Sequence, residues 1–407
     1  MTTLKIYETN GAQGDFTANV INCEARGDGR YDIVLDRTAF FPEGGGQSSD
    51  KGTLGGQEIL ELRTDRDRNV IRHTVSHPID VGTEVQGRVD MVKRFSDMQN
   101  HTAEHIVSGT VHSMYGYDNV GFHMGSDVIT MDFNGILTGE QLALIEERAN
   151  KAVYANIPIK IAFYEPNALA DVRFRSKIEF NTTVRLVEIE GVDVCACCAP
   201  HVARTGEIGL IKILDFQKYK GGTRVSMLAG SRAFAELSKR FSQVKSLSAS
   251  LSAKPDAIEE RIVQLQNEVG ALKGEKSVVY AKYCTIRAES LLRAEVFRAE
   301  ACSAPNKNGV LLFEESGSMD ELRVLVNALK DKISGICAAF APDAAADAQA
   351  ERYKFVIGTS EDTDLKSVTE LLRNKCGASC GGRGNMIQGS VNSSREDIKN
   401  ALSDFIY

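Results

Sequence analysis

His101-Thr102-Ala103-Glu104-His105, answered much further along the chain by Cys197-Cys198-Ala199-Pro200-His201, is the pair of stretches on which the rest of the sequence hangs. The first spaces two histidines four residues apart within a helix-like run, so both rings fall on one helical face. The second places a cysteine and a histidine four apart just after a strand-like run. Three imidazoles and one thiolate form a donor set suited to a tetrahedral zinc ion. Glu104 invites comparison with the general base of HExxH helices. The order here is HxxEH, and the helical reading turns Glu104 away from the shared histidine face.

Around this pair the chain reads as α+β. Residues 91–245 form a mixed α+β region. Helices are expected over Arg94–Tyr115 and Leu142–Tyr154, and strands over Val128–Phe133 and Thr183–Ile189. A strand pair, Ile208–Leu214 with Thr223–Met227, brackets a basic turn. Residues 1–90 alternate at period two in Tyr31–Leu35 and Val85–Val89 and predict a small β-barrel-like module. Phe40-Phe41-Pro42-Glu43-Gly44-Gly45-Gly46-Gln47 is a loop within it whose glycines permit close approach to a ligand.

Residues 246–284 read as a helical linker. Serine-rich sequence gives way to Lys254-Pro255-Asp256, a helix start. Ile258, Ile262, Leu265, Val269 and Leu272 then follow a short heptad seam, compatible with a packed helix or with a homodimer contact. Residues 285–407 form a separate α/β domain with strands at Val310–Phe313 and Lys354–Gly358. The alanine-rich Ala338–Ala350 reads as a loop–helix edge. Cys380-Gly381-Gly382-Arg383-Gly384 reads either as a surface turn or as a phosphate-approaching loop with Arg383 available for charge.

Composition narrows the class. With 407 residues, 43% hydrophobic and 25% charged, the chain is ordinary for a multidomain globular protein. Its net charge of −7 argues against wholesale coating of nucleic acid. It leaves room for a local basic surface such as Lys212, Lys218, Lys220 and Arg224. No apolar run is long enough for a membrane span, and Met1–Lys5 does not read as a secretory signal. Nine cysteines with a vicinal Cys197–Cys198 pair do not read as a disulfide framework. A reduced, cytoplasmic protein is expected.

Phe41-Pro42-Glu43-Gly44-Gly45-Gly46-Gln47, the His101–His105 stretch and Cys197…His201-Val202…Thr205-Gly206-Glu207-Ile208-Gly209 together resemble the editing half of alanyl-tRNA synthetase. The nearer likeness is to the free-standing alanyl-tRNA editing proteins of the long AlaX type. Gly381-Gly382-Arg383-Gly384-Asn385-Met386-Ile387-Gln388-Gly389 resembles the DHH-associated RNA-binding domain that follows in those proteins. The resemblance implies a zinc-dependent hydrolase, with one zinc per chain on His101, His105, Cys197 and His201. It acts on tRNA(Ala) mischarged with serine or glycine. His123 falls where the family's pocket makes a polar substrate contact, and Gln47 and Asp132 are further substrate-binding candidates. Lys218, Lys220, Arg224 and Arg383 are candidates for tRNA contact. Cys-Gly-Gly-Thr-His of the synthetases is here Cys197-Cys198-Ala199-Pro200-His201, so the ligand spacing survives while the glycines and threonine do not. Cys195 and Cys198 are expected as structural neighbours.

About ninety residues of β character precede the first histidine pair, so an ATP-binding charging domain is not expected and editing in trans is the implied activity. The ester bond of an aminoacyl-tRNA needs a placed water, a proton acceptor and support for the oxyanion. Sequence leaves open whether zinc activates water or positions substrate. Two rivals share the motifs: a non-catalytic zinc-stabilised tRNA-binding module, and a metal-dependent phosphoesterase. The lack of an Asp-His-His run argues against the second.

Overall fold

A computed structural model describes residues 2–65, 67–169, 172–176, 182–301, 309–343, 351–360 and 365–406. The chain is α+β and divides into two compact units, Met1–Leu247 and Ser248–Tyr407. Among the described residues no helix is long and apolar enough to cross a membrane.

The first unit begins with a seven-stranded sheet. Its spatial order is Gln57–Glu58, Gly52–Leu54, Glu84–Val89, Asp15–Ala25, Tyr31–Leu35, Val70–Val75 and Glu61–Asp65. The two edge strands follow each other in sequence, with only Ile59 and Leu60 between them. The Ile59 amide donates to Gly52 O on one side and the Leu60 amide to Thr74 O on the other. The sheet therefore curls until its edges adjoin, around Phe16, Val20, Ile33, Leu35 and Phe40. His73 is fully buried there, with Nε2 2.9 Å from Thr38 Oγ1 and Nδ1 3.1 Å from Ile33 O. Burial, partly opposed by backbone hydrogen bonds, pushes its pKa down to about 4.

Helix α1, Met91–Tyr115, is the axis of the unit. Asp90 caps its start by accepting from the Val92 and Lys93 amides, and Gly116 ends it in the left-handed region at φ 70°. Arg94 to Val111 lie buried in it, apart from Phe95 and Ser96, so α1 is enclosed rather than amphipathic. Gly109 makes that enclosure possible on one side: a Cβ there would sit 2.5 Å from Val192 O and 2.7 Å from Asp193 Cβ. Helix α2, Gly139–Tyr154, starts at a Thr138–Gln141 capping box and buries Leu142, Ile145, Ala149 and Val153.

Beside a short parallel pair, Leu4–Lys5 with Arg37–Thr38, the described residues of this unit form two further antiparallel sheets. One runs Asn119–Met124, Ile129–Phe133, Gly222–Ala229, Ile211–Tyr219; the other runs Ile159–Tyr164, Val184–Ile189, Asp193–Ala196. Ile208, read as the start of a strand, belongs to a 3₁₀ turn over Thr205–Ile208, and the strand begins at Ile211. Helix α3, Gly230–Leu251, runs straight through the serine-rich stretch read as linker.

In the second unit, α4 is one helix from Ile258 to Ala301, so no break falls at residue 285. Ile262, Val269 and Leu272 of the heptad seam are exposed. A five-stranded sheet follows, ordered Val310–Phe313, Ile336–Pro342, Arg352–Thr359, Met386–Asn392, Ser379–Arg383. Its first two strands are parallel, and helix α5, Met319–Lys330, supplies the crossover that parallel pairing requires. Ala338–Ala341, read as a loop–helix edge, is the centre of a buried strand. Ala338 and Phe340 face one core while Ala339 and Ala341 face the other. Residues 344–350 of the same alanine-rich stretch lie outside the described residues. Helices α6, Lys366–Cys376, and α7, Arg395–Ile406, cover one face.

Candidate active site

The four expected ligands come from elements far apart in sequence. His101 and His105 stand one turn apart in α1, and Cys197 and His201 lie on the loop leaving the strand Asp193–Ala196. Their ligand atoms all lie within 4.8 Å of one another. Cys197 Sγ is 3.5 Å from His101 Nε2 and 3.4 Å from His201 Nε2. Tetrahedral zinc, with Zn–S of about 2.3 Å and Zn–N of about 2.0–2.1 Å, sets such atoms about 3.6 Å apart.

Each ring is held from behind, which turns its Nε2 inward. Gln47 Oε1 is 2.8 Å from His101 Nδ1, and Thr102 Oγ1 is 3.0 Å from His201 Nδ1. Asp193 Oδ2 is 3.2 Å from His105 Nδ1, close but off the line of a hydrogen bond. For His101 and His201 such outer partners fix the tautomer that leaves Nε2 as a lone pair. At His105 burial is outweighed by the facing Cys195, Asp193 and Cys197 groups, which raise the pKa well above the ordinary imidazole value. Asp193 is itself gripped by Arg175 through contacts of 2.6 and 2.8 Å. Burial opposes ionisation of the Cys197 thiol, but the facing His101 and His201 rings hold its pKa well below the usual thiol value. Burial pushes His201 down to about 3, towards the neutral form. Thiolate and neutral imidazole are the states that bind a metal. The donor set, its burial and its backing partners therefore fit a tetrahedral ion.

The glycine-rich loop is locked onto this centre. Buried Arg94 pairs with buried Asp50 and donates to Ala39 O and Gly11 O, while Asp50 accepts from the Phe41 amide. Gly46, at φ 82°, lets the loop touch the strand Asn119–Met124. A Cβ there would lie 2.7 Å from Phe122 O, and the Met124 amide donates to Gly46 O. Gln47 is thereby pressed against His101. Its Nε2 is buried without a partner among the described residues.

A cleft of about 1610 Å³ is lined by three of the four ligands, His101, His105 and Cys197, and among others by Gly45, Glu104, Phe122, Phe163 and Arg185. Glu104 does not turn away from the histidines. Three residues on from His101, it flanks the same face, with Oε2 3.8 Å from His105 Nε2. Its Oε1 accepts from Ser108 Oγ and Asn119 Nδ2, both at 2.6 Å.

Other candidates are placed differently. His123 is exposed on its strand and is not among the cleft-lining residues; its neighbour Phe122 is, packed edge-on against His101. Asp132 is taken by Arg224 in a two-pronged ion pair of 2.6 and 2.7 Å, and Arg224 lies over the Tyr219 ring. Lys218 and Lys220 are exposed at the tip of that hairpin, Lys220 at φ 46° in its two-residue turn. Arg383 occupies the end of a strand, and its side chain lies outside the described residues. Cys195 joins His105 and Asp193 in an adjoining cluster, whereas Cys198 lies beside the quartet without entering it. Sequence reading missed Thr102, Arg175, Arg185 and Asp193. Only Thr102, lying between the two histidines, carried a local signal.

Residues 184–226 match the family profile described as the threonyl and alanyl tRNA synthetase second additional domain. The chain is 30% identical over 316 residues to the alanyl-tRNA editing protein Aarsd1-B of Xenopus laevis, covering 75% of this chain and 76% of that protein. The chain belongs to the alanyl-tRNA editing protein family. A Danio rerio member, alanyl-tRNA editing protein Aarsd1, is 29% identical over 285 residues, spanning 69% of this chain and 68% of its own. The alanine–tRNA ligase of Ignicoccus hospitalis is 33% identical over 284 residues, which are 67% of this chain but 31% of the ligase. The matched profile contains the Cys197–His201 loop, which carries two of the four quartet residues.

Proposed function

We propose that the chain is a deacylase acting in trans on tRNA(Ala) mischarged with serine, with one zinc per chain on His101, His105, Cys197 and His201. The observation that carries this reading is the buried quartet opening on a cleft, in a chain of the alanyl-tRNA editing family. A bound zinc supplies a Lewis acid for an ester carbonyl or for water.

The protein's own groups supply the rest. Gln47 orients His101, and its buried donor Nε2, without a partner among the described residues, is assigned to the serine hydroxyl. Alanine leaves that donor unpaired, which sets the direction of selectivity. Glu104, fixed by Ser108 and Asn119, is the acceptor for the α-ammonium of the aminoacyl ester. Lys218, Lys220 and Arg383 are assigned to the tRNA backbone, and the C-terminal unit to holding the tRNA. The site of action is the cytoplasm, where charged tRNA is used.

Incubation of seryl-tRNA(Ala) with the protein and with Cys197→Ala tests the reading. The unmodified protein releases serine; the variant loses zinc by elemental analysis and loses turnover. A zinc-loaded protein that binds tRNA but releases no serine is a tRNA-binding module instead.

A further inference from the structure

Arg185 is buried to 7% exposure, yet among the described residues no carboxylate pairs with it. Its Nε donates to Glu8 O at 2.8 Å and its Nη1 to Cys197 O at 2.5 Å. Its third nitrogen, Nη2, is buried with no partner among the described residues. A buried cation with an unused donor is costly unless an anion completes it. Arg185 also lines the cleft beside the quartet.

Its neighbours across the sheet extend the pattern. Phe163 stands directly opposite Arg185 in the antiparallel register, so both side chains leave the same face. Phe163 lines the same cleft and is 48% exposed. On the other side the Cys197 amide donates to Arg185 O. An aromatic ring, a guanidinium with a spare donor and a metal-type thiolate thus stand in a row. With strands about 4.8 Å apart, the row spans about 10 Å.

We propose that Phe163 and Arg185 form a nucleotide subsite: the terminal adenine of the acceptor strand stacks on Phe163, and the phosphate on its 5′ side takes the free edge of Arg185, which leaves the 3′-ester at Cys197. Arginine forks suit phosphate oxygens, and exposed aromatic rings suit unpaired bases. The subsite rests on the deacylase reading and names the part of the substrate held there.

Adenosine 5′-monophosphate and adenosine, titrated separately against the full zinc-loaded chain, test it. The unmodified protein prefers the monophosphate by roughly tenfold to a hundredfold, as a charge-assisted hydrogen bond implies. Arg185→Gln removes that preference. Phe163→Ala, at an exposed position, weakens both ligands by roughly tenfold or more. Because Arg185 also clamps two carbonyls, Arg185→Lys is read beside it, with zinc content and melting confirming the fold. It keeps a cation without the fork and retains only part of the preference. Equal affinity for the two ligands in the unmodified protein overturns the subsite, as does full preference in either folded Arg185 variant. Serine release is scored apart. Deacylation without phosphate preference removes the subsite alone; phosphate preference without deacylation removes the deacylase reading alone.

Discussion

His105 and Asp193 face each other across the contact between α1 and the strand Asp193–Ala196, with Nδ1 3.2 Å from Oδ2. Asp193 is the one carboxylate among the groups that back the three rings, and Arg175 keeps it ionised by a two-pronged pair. Burial works against that ionisation, yet the Arg175 and His105 contacts hold its pKa below the usual carboxylate range. Asp193→Asn keeps the shape and removes the charge. Outer-partner substitutions of this kind cost roughly ten- to a hundredfold in metal affinity. Competition with a zinc-binding dye should show that loss, and an unchanged zinc affinity would remove Asp193 from the support of His105.

Gly109 gives the same contact its closeness. Gly109→Ala forces α1 away from Val192 O and Asp193, and overpacking of this kind costs about 1–3 kcal/mol. The variant should melt earlier than the unmodified protein and bind zinc more weakly, because His105 loses its backing. A variant with unaltered melting and unaltered zinc affinity would show that the interface can give way freely.

Much of this was legible along the chain. The spacing of His101 with His105 and of Cys197 with His201 needs only one helix face and one loop, and both are local. Gln47 could be picked out from its glycine-rich loop, but its bond to His101 depends on how Arg94 and Asp50 pin that loop. Asp193 and Arg185 could not be read in advance, because the role of Arg185 exists only once the strands pair and that of Asp193 only once Gly109 admits it. Ala338–Ala341 was misread for another reason. When both faces of a strand are buried, period-two alternation vanishes, and small apolar residues look like a loop or a helix. His123 is exposed on its strand, while Phe122, one residue earlier, packs against His101.

His73 gives the N-terminal sheet a pH dependence. Its folded pKa, about 4, lies below the ordinary imidazole value of about 6.5. The folded state therefore resists the proton that the unfolded chain accepts. Its contribution is fully present above about pH 6.5 and is lost as pH falls towards 4, reaching about 3 kcal/mol. Urea unfolding at pH 7 and pH 5 should show the loss, and His73→Gln should flatten it. An equal pH slope in both proteins would mean that other groups carry it.

The two units invite a division of labour, with chemistry in Met1–Leu247 and tRNA affinity in Ser248–Tyr407. Truncation after Leu251, where α3 ends, should weaken tRNA binding, and lower salt should partly restore it through the remaining lysines. Unchanged affinity in the shortened chain would place the tRNA contacts in the first unit.

Single-turnover hydrolysis of seryl-tRNA(Ala) against alanyl-tRNA(Ala) by the unmodified protein tests the central claim most directly. A buried donor left unpaired by alanine costs about 1–3 kcal/mol, so serine should be released roughly ten- to a hundredfold faster. Equal rates for the two esters, or no release of either by zinc-loaded protein, would contradict the account.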